Sequence, residues 1–395
     1  MTPVPRLRAY AGPALLTYGF RPFFLFGAIY AGLTVLAWLP MFYGELEVAS
    51  AFAPVDWHVH ELLYGFLPAI VAGFLLTAIP NWTGRLPIQG TPLLVLFAVW
   101  LAGRVGVTLS VQIGWLAAAV IDAGFLVLLI AAATREIVAG NNWRNLRIIG
   151  MVALLLAGNI AFHVEAHLRG HAEYGTRIGI AAIVLLLALI GGRIIPSFTR
   201  NWLARENPGR LPVPFGRFDG AAIALSAVAL ALWIALPSGR LTALALLVAA
   251  VLNIVRLARW AGDRTGRDRL VLILHVGYGF VPLGFLLAGL GALDMIVASA
   301  AIHAWMVGAA GTLTLAVMTR ASLGHTGNAL VASPATQAIY AAIVIAALAR
   351  IGSSLQPGWS EWTLHIAAFA WAAAYLGFAA AYGPLLIRAK PGTSP

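Results

Sequence analysis

The sequence contains no cysteine and few charged residues, and both shortages limit what the protein can do. Without cysteine there are no disulfides, thiol nucleophiles, iron–sulfur clusters or covalently attached c-type haem. Only 10% of the 395 residues are charged, whereas 61% are hydrophobic, which leaves too little polar surface for a soluble globule. The composition predicts an integral membrane protein, in which any transition metal must use His, Met, Tyr or carboxylate ligands.

The formal net charge of +11 comes from basic residues that lie between apolar runs, not from a basic domain. Such residues set the orientation of membrane spans, so we expect no nucleic-acid partner. With each residue assigned to the nearer loop, one side of the membrane collects 20 of the 25 Lys and Arg residues. This asymmetry predicts that both termini, with short tails, lie in the cytoplasm.

Long apolar runs separated by Gly, Pro or charged residues predict an all-α, polytopic bundle of about 12 transmembrane helices. We expect a single membrane domain over residues 1–395, surrounded by the lipid bilayer. The longest connection, from Pro196 to Arg217, is basic and rich in proline and is predicted to be an inner-face loop. The predicted spans are 20–43, 58–80, 90–109, 112–134, 146–168, 176–197, 217–236, 240–259, 269–290, 294–318, 334–353 and 361–387.

Three of these spans end in similar sequences. The second, sixth and tenth spans end in LTAIPNWTGR, GGRIIPSFTRNW and LAVMTRASLGHTG. Their spacing of four helices suggests three pseudo-repeated four-helix units. Short endings with Pro, Thr and Arg are also common in membrane loops, so coincidence explains the pattern equally well.

Two histidines and a carboxylate stand at the start of the second span. His58 and His60 precede Glu61 at the predicted outer face, and this set resembles metal or haem ligands more than interfacial anchors. On a regular helix, residues i and i+2 point about 200° apart. Both imidazoles therefore reach one centre only if His58 lies on the incoming loop, and otherwise they could serve two centres.

Further histidines lie within other spans. His163 and His167 are four residues apart, and Asn159 extends the same polar stripe of the fifth span. His303 comes nine residues after Asp294, which places it about 13 Å down the tenth span, where lipid cannot satisfy an imidazole. Interfacial anchoring or interhelical hydrogen bonding is the alternative reading of each of these histidines.

Glycines follow two of the histidines at comparable distances. Gly65 and Gly73 follow His60, and Gly308 and Gly311 follow His303. They would open room for a flat macrocycle, and they would equally allow close helix packing. Because His60 and His303 start from the same predicted side of the membrane, we expect them to approach haem iron from opposite faces.

On the predicted inner side, His275 precedes Tyr278 by about one turn of the ninth span, and His325 follows the tenth span. These residues could hold a second haem or metal, with Arg193 and Arg320 neutralising the propionates. A structural His–Tyr contact, with arginines that only set the topology, explains the same residues.

The residues resemble those of the NnrS family of haem- and copper-containing membrane proteins associated with the nitric oxide response. The resemblance rests on a series of motifs in order along nearly the whole chain: GFRPFF, WHVHE, GFLLTAIPNWTG, GGRIIPSFTRNWL, HVGY and MTRASLGHTG. It implies a bacterial inner-membrane protein that binds haem b and copper and relieves nitric oxide stress.

The architecture is also similar to subunit I of haem–copper oxidases and nitric oxide reductases, in which helices two and ten hold the low-spin haem. This chain departs from that pattern because its seventh span has no histidine and its tenth has one. A copper site would therefore need other ligands. We expect His163 and His167, completed by His58.

Three functions remain open at this stage. The first is reduction of nitric oxide to nitrous oxide by an oxidoreductase that takes electrons from a quinol or another donor, with Glu61 and Tyr278 handling protons. The second is non-enzymatic binding, protection or delivery of haem, copper or nitric oxide. The third is secondary transport, which predicts a colourless protein.

Overall fold

The computed structural model describes Tyr10 and residues 12–389, and these residues are helical, with no strand among them. Arg6, Arg8 and Lys390 of the predicted terminal tails lie outside this part of the chain. The described residues contain 12 helices long and apolar enough to cross a membrane, which confirms the predicted bundle. They are α1 (Phe20–Phe42), α2 (Pro54–Thr83), α3 (Thr91–Thr108), α4 (Trp115–Ala139), α5 (Trp143–Arg169), α6 (Tyr174–Glu206), α7 (Arg217–Ala235), α8 (Arg240–Ala258), α9 (Arg269–Gly291), α10 (Ala298–Thr326), α11 (Pro334–Leu355) and α12 (Pro357–Ile387).

Large apolar side chains cover the outside of these helices. Leu116, Val120 and Val251 are each more than half exposed, at 60%, 64% and 59%. Such surfaces are stable in hydrocarbon and unfavourable in water. The protein is therefore a multi-pass membrane protein, and its predicted orientation in an inner membrane stays a prediction.

Three helix boundaries differ from the sequence prediction in ways that matter for the site. Helix α2 begins at Pro54, because proline is well suited to a first helical position. Helix α6 continues through Pro196 to Glu206, so the predicted inner-face loop is shorter. Helix α10 begins at Ala298, which leaves His303 only about 8 Å along it.

The described chain divides into two compact units. The first comprises the described residues up to Gly179, Met318–Ala329 and the described residues from Tyr375 onward. The second comprises Ile180–Val317 and Leu330–Ala374. The single domain predicted over the whole chain, and the three four-helix units, stay predictions.

Aromatic side chains fill the interior of the first unit, where α2 packs against α1, α3 and α4. Phe23 of α1 is fully buried, and its ring centroid lies 6.4 Å from that of Trp100 and 5.6 Å from that of Phe125. Because lipid tails are as apolar as these rings, close van der Waals packing, and not transfer out of water, stabilises the contacts in a bilayer. This packing fixes α1, α3 and α4 around α2.

Helices α2 and α10 each contain a π-helical segment that begins directly after a histidine. Glu61–Phe66 follows His60, and Ala304–Gly311 follows His303. A π turn inserts one extra residue and frees backbone groups from the regular ladder. In α2 the carbonyl of Gly65 accepts a hydrogen bond from Trp100 Nε1 at 2.9 Å. Segments of this kind are frequent at functional sites.

Helices α5 and α6 approach closely at Gly175. A Cβ atom built there would lie 2.5 Å from both the backbone nitrogen and Cα of Phe162, so only glycine fits. Phe162 precedes His163, which makes this contact a positioning element for the polar interior of the unit.

We expect Gly175→Ala to destabilise the protein by about 1–3 kcal/mol, because the added methyl group must push two backbones apart. The measurement is the thermal unfolding midpoint in detergent. Gly150→Ala on α5 is the matched control, since no atom lies within 4 Å of its built Cβ. Equal midpoints for the two variants would contradict this account of the contact.

Candidate metal centre

His60 lies at the centre of a polar cluster inside the first unit. Its side chain is fully buried, and Nδ1 lies 2.8 Å from Glu61 Oε1. Nε2 lies 3.0 Å from Asn159 Oδ1 and 3.2 Å from Asp122 Oδ2. Both ring nitrogens therefore face acceptor atoms, whereas a neutral imidazole carries only one N–H. Three states satisfy these contacts: an imidazolium, a neutral imidazole that accepts from a protonated carboxyl group, or a metal cation among the donors.

Asp122 of α4 joins the cluster to α5. Its Oδ2 accepts a hydrogen bond from Asn159 Nδ2 at 2.8 Å and lies 3.1 Å from His163 Nε2. Asn159 and His163 are four residues apart on α5, so they share the face that the sequence predicted. Gly103 of α3 allows the close approach, because a Cβ there would lie 3.1 Å from the Cα of Asp122.

An arginine ties the two carboxylates together. Arg104 Nη1 donates to Glu61 Oε1 and Oε2 at 2.9 Å each, and Nη2 donates to Asp122 Oδ1. Tyr30 of α1 donates its hydroxyl hydrogen to Glu61 Oε2. Gly65 makes room for the guanidinium, since a Cβ there would lie 2.3 Å from Arg104 Nη1. Five helices thus contribute to one hydrogen-bonded cluster.

The charges of this cluster do not balance without a further cation. Glu61 and Asp122 bring two negative charges, and Arg104 brings one positive charge, while all three side chains are at most 3% exposed. An uncompensated buried charge costs several kcal/mol, and a membrane interior offers no water to reduce that cost. A proton on an imidazole or on one carboxylate, or a bound metal ion, would restore the balance.

The geometry suits a metal ion. The donor atoms of His60, Asp122 and His163 all lie within 4.8 Å of one another. Two of the separations, 3.2 Å and 3.1 Å, match the distance of about 3.3 Å between donors that share one tetrahedral ion. Two imidazoles and a carboxylate form a common ligand set for zinc, copper or iron.

The structure brings only part of the predicted outer ligand set together. His58 lies inside helix α2, so it points away from His60 and stacks on Trp38 with ring centroids 4.1 Å apart. His167 is exposed and stacks on Trp115 at 4.2 Å. His163 lies in the cluster with His60, whereas neither His58 nor His167 belongs to the metal-ligand group. Their predicted roles as ligands stay predictions.

The surroundings of His60 do not fit a haem group. Both of its ring nitrogens are engaged, and the rings of Phe52, Tyr64 and Phe162 lie 5.0–5.5 Å from its centroid. The four glycines expected to make room for a macrocycle are packed against side chains: Gly65 against Arg104, Gly73 against Phe24, Gly308 against Phe280 and Gly311 against Trp371. The glycines therefore serve close packing, and the haem pairing of His60 with His303 stays a prediction.

The second unit contains its own buried polar cluster, which includes Tyr278. The hydroxyl of Tyr278 accepts a hydrogen bond from Arg256 Nη1 at 2.7 Å and donates to Asn253 Oδ1 at 2.8 Å. Arg256, which is fully buried, pairs with Asp219 at 3.1 Å and sits against Gly192, where a side chain would clash with it. Tyr278 is thus hydrogen-bonded to the arginine of an ion pair, and its predicted role in proton handling stays a prediction.

The remaining predicted residues lie outside both clusters. His275 Nε2 donates to Thr199 Oγ1 at 2.8 Å, because that hydroxyl already donates to the Ile195 carbonyl. The ring of His325 packs 5.4 Å from Phe20. His303 Nδ1 donates to the Ser299 carbonyl at 2.6 Å. Arg193 lies on α6 and Arg320 on α10, and both are half-buried. Their roles toward haem stay predictions.

Sequence reasoning missed Asp122, Arg104 and Tyr30. Asp122 stands seven residues inside an apolar helix, and such a carboxylate is expensive in a membrane unless it has a function. That signal could have found it. Arg104 lies four residues before the end of α3, so it is easily counted as a loop arginine that sets the topology.

These features define a polytopic α-helical membrane protein with a buried His–Asp cluster suited to a metal ion. The chain belongs to the NnrS family, since the family model for NnrS proteins matches residues 14–390, nearly the whole chain. No curated protein matches the sequence.

We expect Arg104→Met to lower the free energy of unfolding by about 3–5 kcal/mol, because it leaves Glu61 and Asp122 buried without their guanidinium. Adding Glu61→Gln should recover part of the loss. Thermal unfolding in detergent measures both effects. Arg240→Met is the control, because Arg240 is an exposed arginine at a helix start. A midpoint for Arg104→Met as high as that of the control would show that the cluster does not depend on this charge.

Proposed function

We propose that this chain is a copper-binding membrane protein of the nitric oxide response, with the ion held by His60, Asp122 and His163. The observation that carries the proposal is the buried charge imbalance at three suitably spaced donor atoms. A copper ion among them would supply the missing positive charge. Family membership supports the link to nitric oxide, and the resemblance of the motifs supports copper.

Copper is the favoured ion on chemical grounds as well. Among divalent first-row ions, sites built from nitrogen and oxygen donors bind Cu²⁺ most tightly. The chain has no cysteine, so thiolate competition for the ion within the protein does not arise. Zinc would fit the same donors, which is why the metal must be identified by analysis of the purified protein.

The surrounding residues would orient the ligands. Glu61 holds His60 through Nδ1, which directs Nε2 toward Asp122 and His163. Arg104 holds both carboxylates, and Asn159 fixes Asp122 Oδ2. A bound copper ion would supply a site for coordination and one-electron redox chemistry. Removing a hydrogen-bond partner of a metal ligand usually lowers metal affinity by about 10–100-fold.

Two uses of such an ion are compatible with the family. In the first, the protein holds copper or nitric oxide without turnover, and the complete burial of His60 and Glu61 favours this use. In the second, two nitric oxide molecules, two electrons and two protons give nitrous oxide and water. The chain from Tyr30 through Glu61 to His60 supports the second use, since it could carry protons to the cluster. A quinol is the proposed electron donor.

Haem b is a second proposed cofactor, and His303 is its proposed ligand, because imidazole is the strongest haem ligand in a chain without cysteine. Its Nδ1–H donates to the Ser299 carbonyl, which fixes the neutral tautomer with no hydrogen on Nε2. A purified protein without a Soret band would remove this ligand role and favour the transporter alternative.

We expect His163→Ala and Asp122→Asn to lower copper affinity by more than the roughly 100-fold seen for outer-shell changes, because each removes a ligand atom. His167→Ala is the matched control, because it lies one turn further along α5 and stacks on Trp115. Copper content after loading and dialysis of purified protein measures the effect. Retained copper in both ligand variants, or equal loss of copper in the control, would contradict the assignment of these copper ligands.

Nitric oxide uptake under anaerobic conditions separates the two uses of the ion. We expect copper-loaded protein supplied with a quinol to take up nitric oxide until the copper is saturated and then to stop, because the cluster is buried. An electrode records the time course. Sustained consumption with formation of nitrous oxide would establish reduction instead. Whichever time course is seen, His163→Ala should abolish the uptake of nitric oxide and His167→Ala should retain it.

A further inference from the structure

A cavity of about 500 Å³ lies at one end of the first unit, away from the metal ligands. It is formed where α2 ends at Thr83, α3 begins at Thr91 and α4 ends at Ala139. Because three membrane-spanning helices end together here, the cavity lies at the level of the lipid headgroups. Arg85, Gln89, Arg135 and Glu136 provide its polar lining.

Glu136 fixes the two arginines and leaves donors for a ligand. Its Oε2 accepts from Arg85 Nε at 2.5 Å, and its Oε1 accepts from Arg135 Nε at 2.9 Å and Nη2 at 2.8 Å. The carboxylate is only 8% exposed, whereas the arginines are 44% and 69% exposed. A guanidinium has five N–H donors, so the terminal nitrogens of Arg85 remain available as a fork that matches a phosphate.

The local charge also favours an anion. Two arginines against one glutamate leave a net positive charge in the lining. Helix α3 begins beside them after Gly90 without a side-chain cap, so its first N–H groups add a partial positive charge.

Gln89 requires that the ligand also carry a hydrogen-bond donor. Its Oε1 is buried and has no hydrogen-bond partner among the described residues. A buried amide oxygen needs a donor, and the phosphodiester of a phospholipid offers none. A ligand that combines a phosphate with hydroxyl groups would satisfy both the arginines and this oxygen. Leu86, Pro87 and Pro92 form an apolar part of the lining that suits a glyceride backbone.

We propose that this cavity binds the headgroup of an anionic phospholipid that carries free hydroxyl groups, as in phosphatidylglycerol. Arg85 and Arg135 bind the phosphodiester, Gln89 accepts a headgroup hydroxyl, and Glu136 positions both arginines. This site is independent of the proposed copper centre.

The test measures lipid binding to the purified full-length protein by native mass spectrometry or by titration in detergent. Short-chain phosphatidylglycerol should bind at least about tenfold more tightly than phosphatidylcholine of the same chain length, since one charge-assisted pair contributes about that factor. Arg85→Gln with Arg135→Gln should remove the preference. Gln89→Leu should weaken binding of phosphatidylglycerol but not of phosphatidylmethanol, a phosphodiester whose headgroup has no hydroxyl.

Arg144→Gln with Arg147→Gln is the matched control, because both arginines are exposed at the start of α5 and neither lines the cavity. It removes the same charge near the same end of the bundle and should keep the preference. Should the cavity variant fail to fold because Glu136 loses its partners, adding Glu136→Gln restores the balance. Equal binding of the two lipids, equal loss in the control, or displacement of the lipid by equimolar inorganic phosphate would overturn the proposal.

Discussion

The interaction between Arg104 and the carboxylates of Glu61 and Asp122 organises the first unit. It joins α2, α3 and α4 in a region where water cannot stabilise a lone charge, so each of the three residues depends on the others. The small residues nearby follow from this requirement. Gly65 makes space for the guanidinium, and Gly103 brings the backbone of Asp122 within reach. The packing of these helices is therefore set by charge as much as by apolar contact.

The helical framework could be predicted from the sequence because bilayer thickness imposes one length on every span. All 12 predicted spans overlap helices in the structure, and the errors lie at their ends. These errors at the ends arise because individual residues, not average hydropathy, decide where a helix begins and ends. Pro54 begins α2 earlier than hydropathy indicated, and α6 passes through Pro196. Proline inside a membrane helix is tolerated because neighbouring groups can satisfy the freed carbonyl.

The candidate site was predictable only in part. His60 and His163 stood out because imidazoles are rare in apolar spans. The spacing of four residues between Asn159 and His163 predicted that they share one face of a helix. Their partner Asp122 is a single carboxylate with no motif around it, and Arg104 looked like an arginine that only sets the topology. Neither periodicity nor composition says which helices touch. Only the fold shows that residues more than 40 positions apart meet at one cluster.

The two buried clusters, each within its own unit, differ in how their negative charges are compensated. In the second unit the carboxylate of Asp219 pairs with the buried Arg256 at 3.1 Å and lies 3.8 Å from the partly exposed Arg259. Tyr278, Asn253 and Ser226 complete a chain of hydrogen bonds. The negative charge of this cluster is therefore compensated by arginine. In the first unit two carboxylates face one arginine, and His60 meets acceptors at both nitrogens. A proton or a metal ion must compensate this excess negative charge in a membrane interior, and the donor atoms of His60, Asp122 and His163, which lie within 4.8 Å of one another, could hold the ion that we propose.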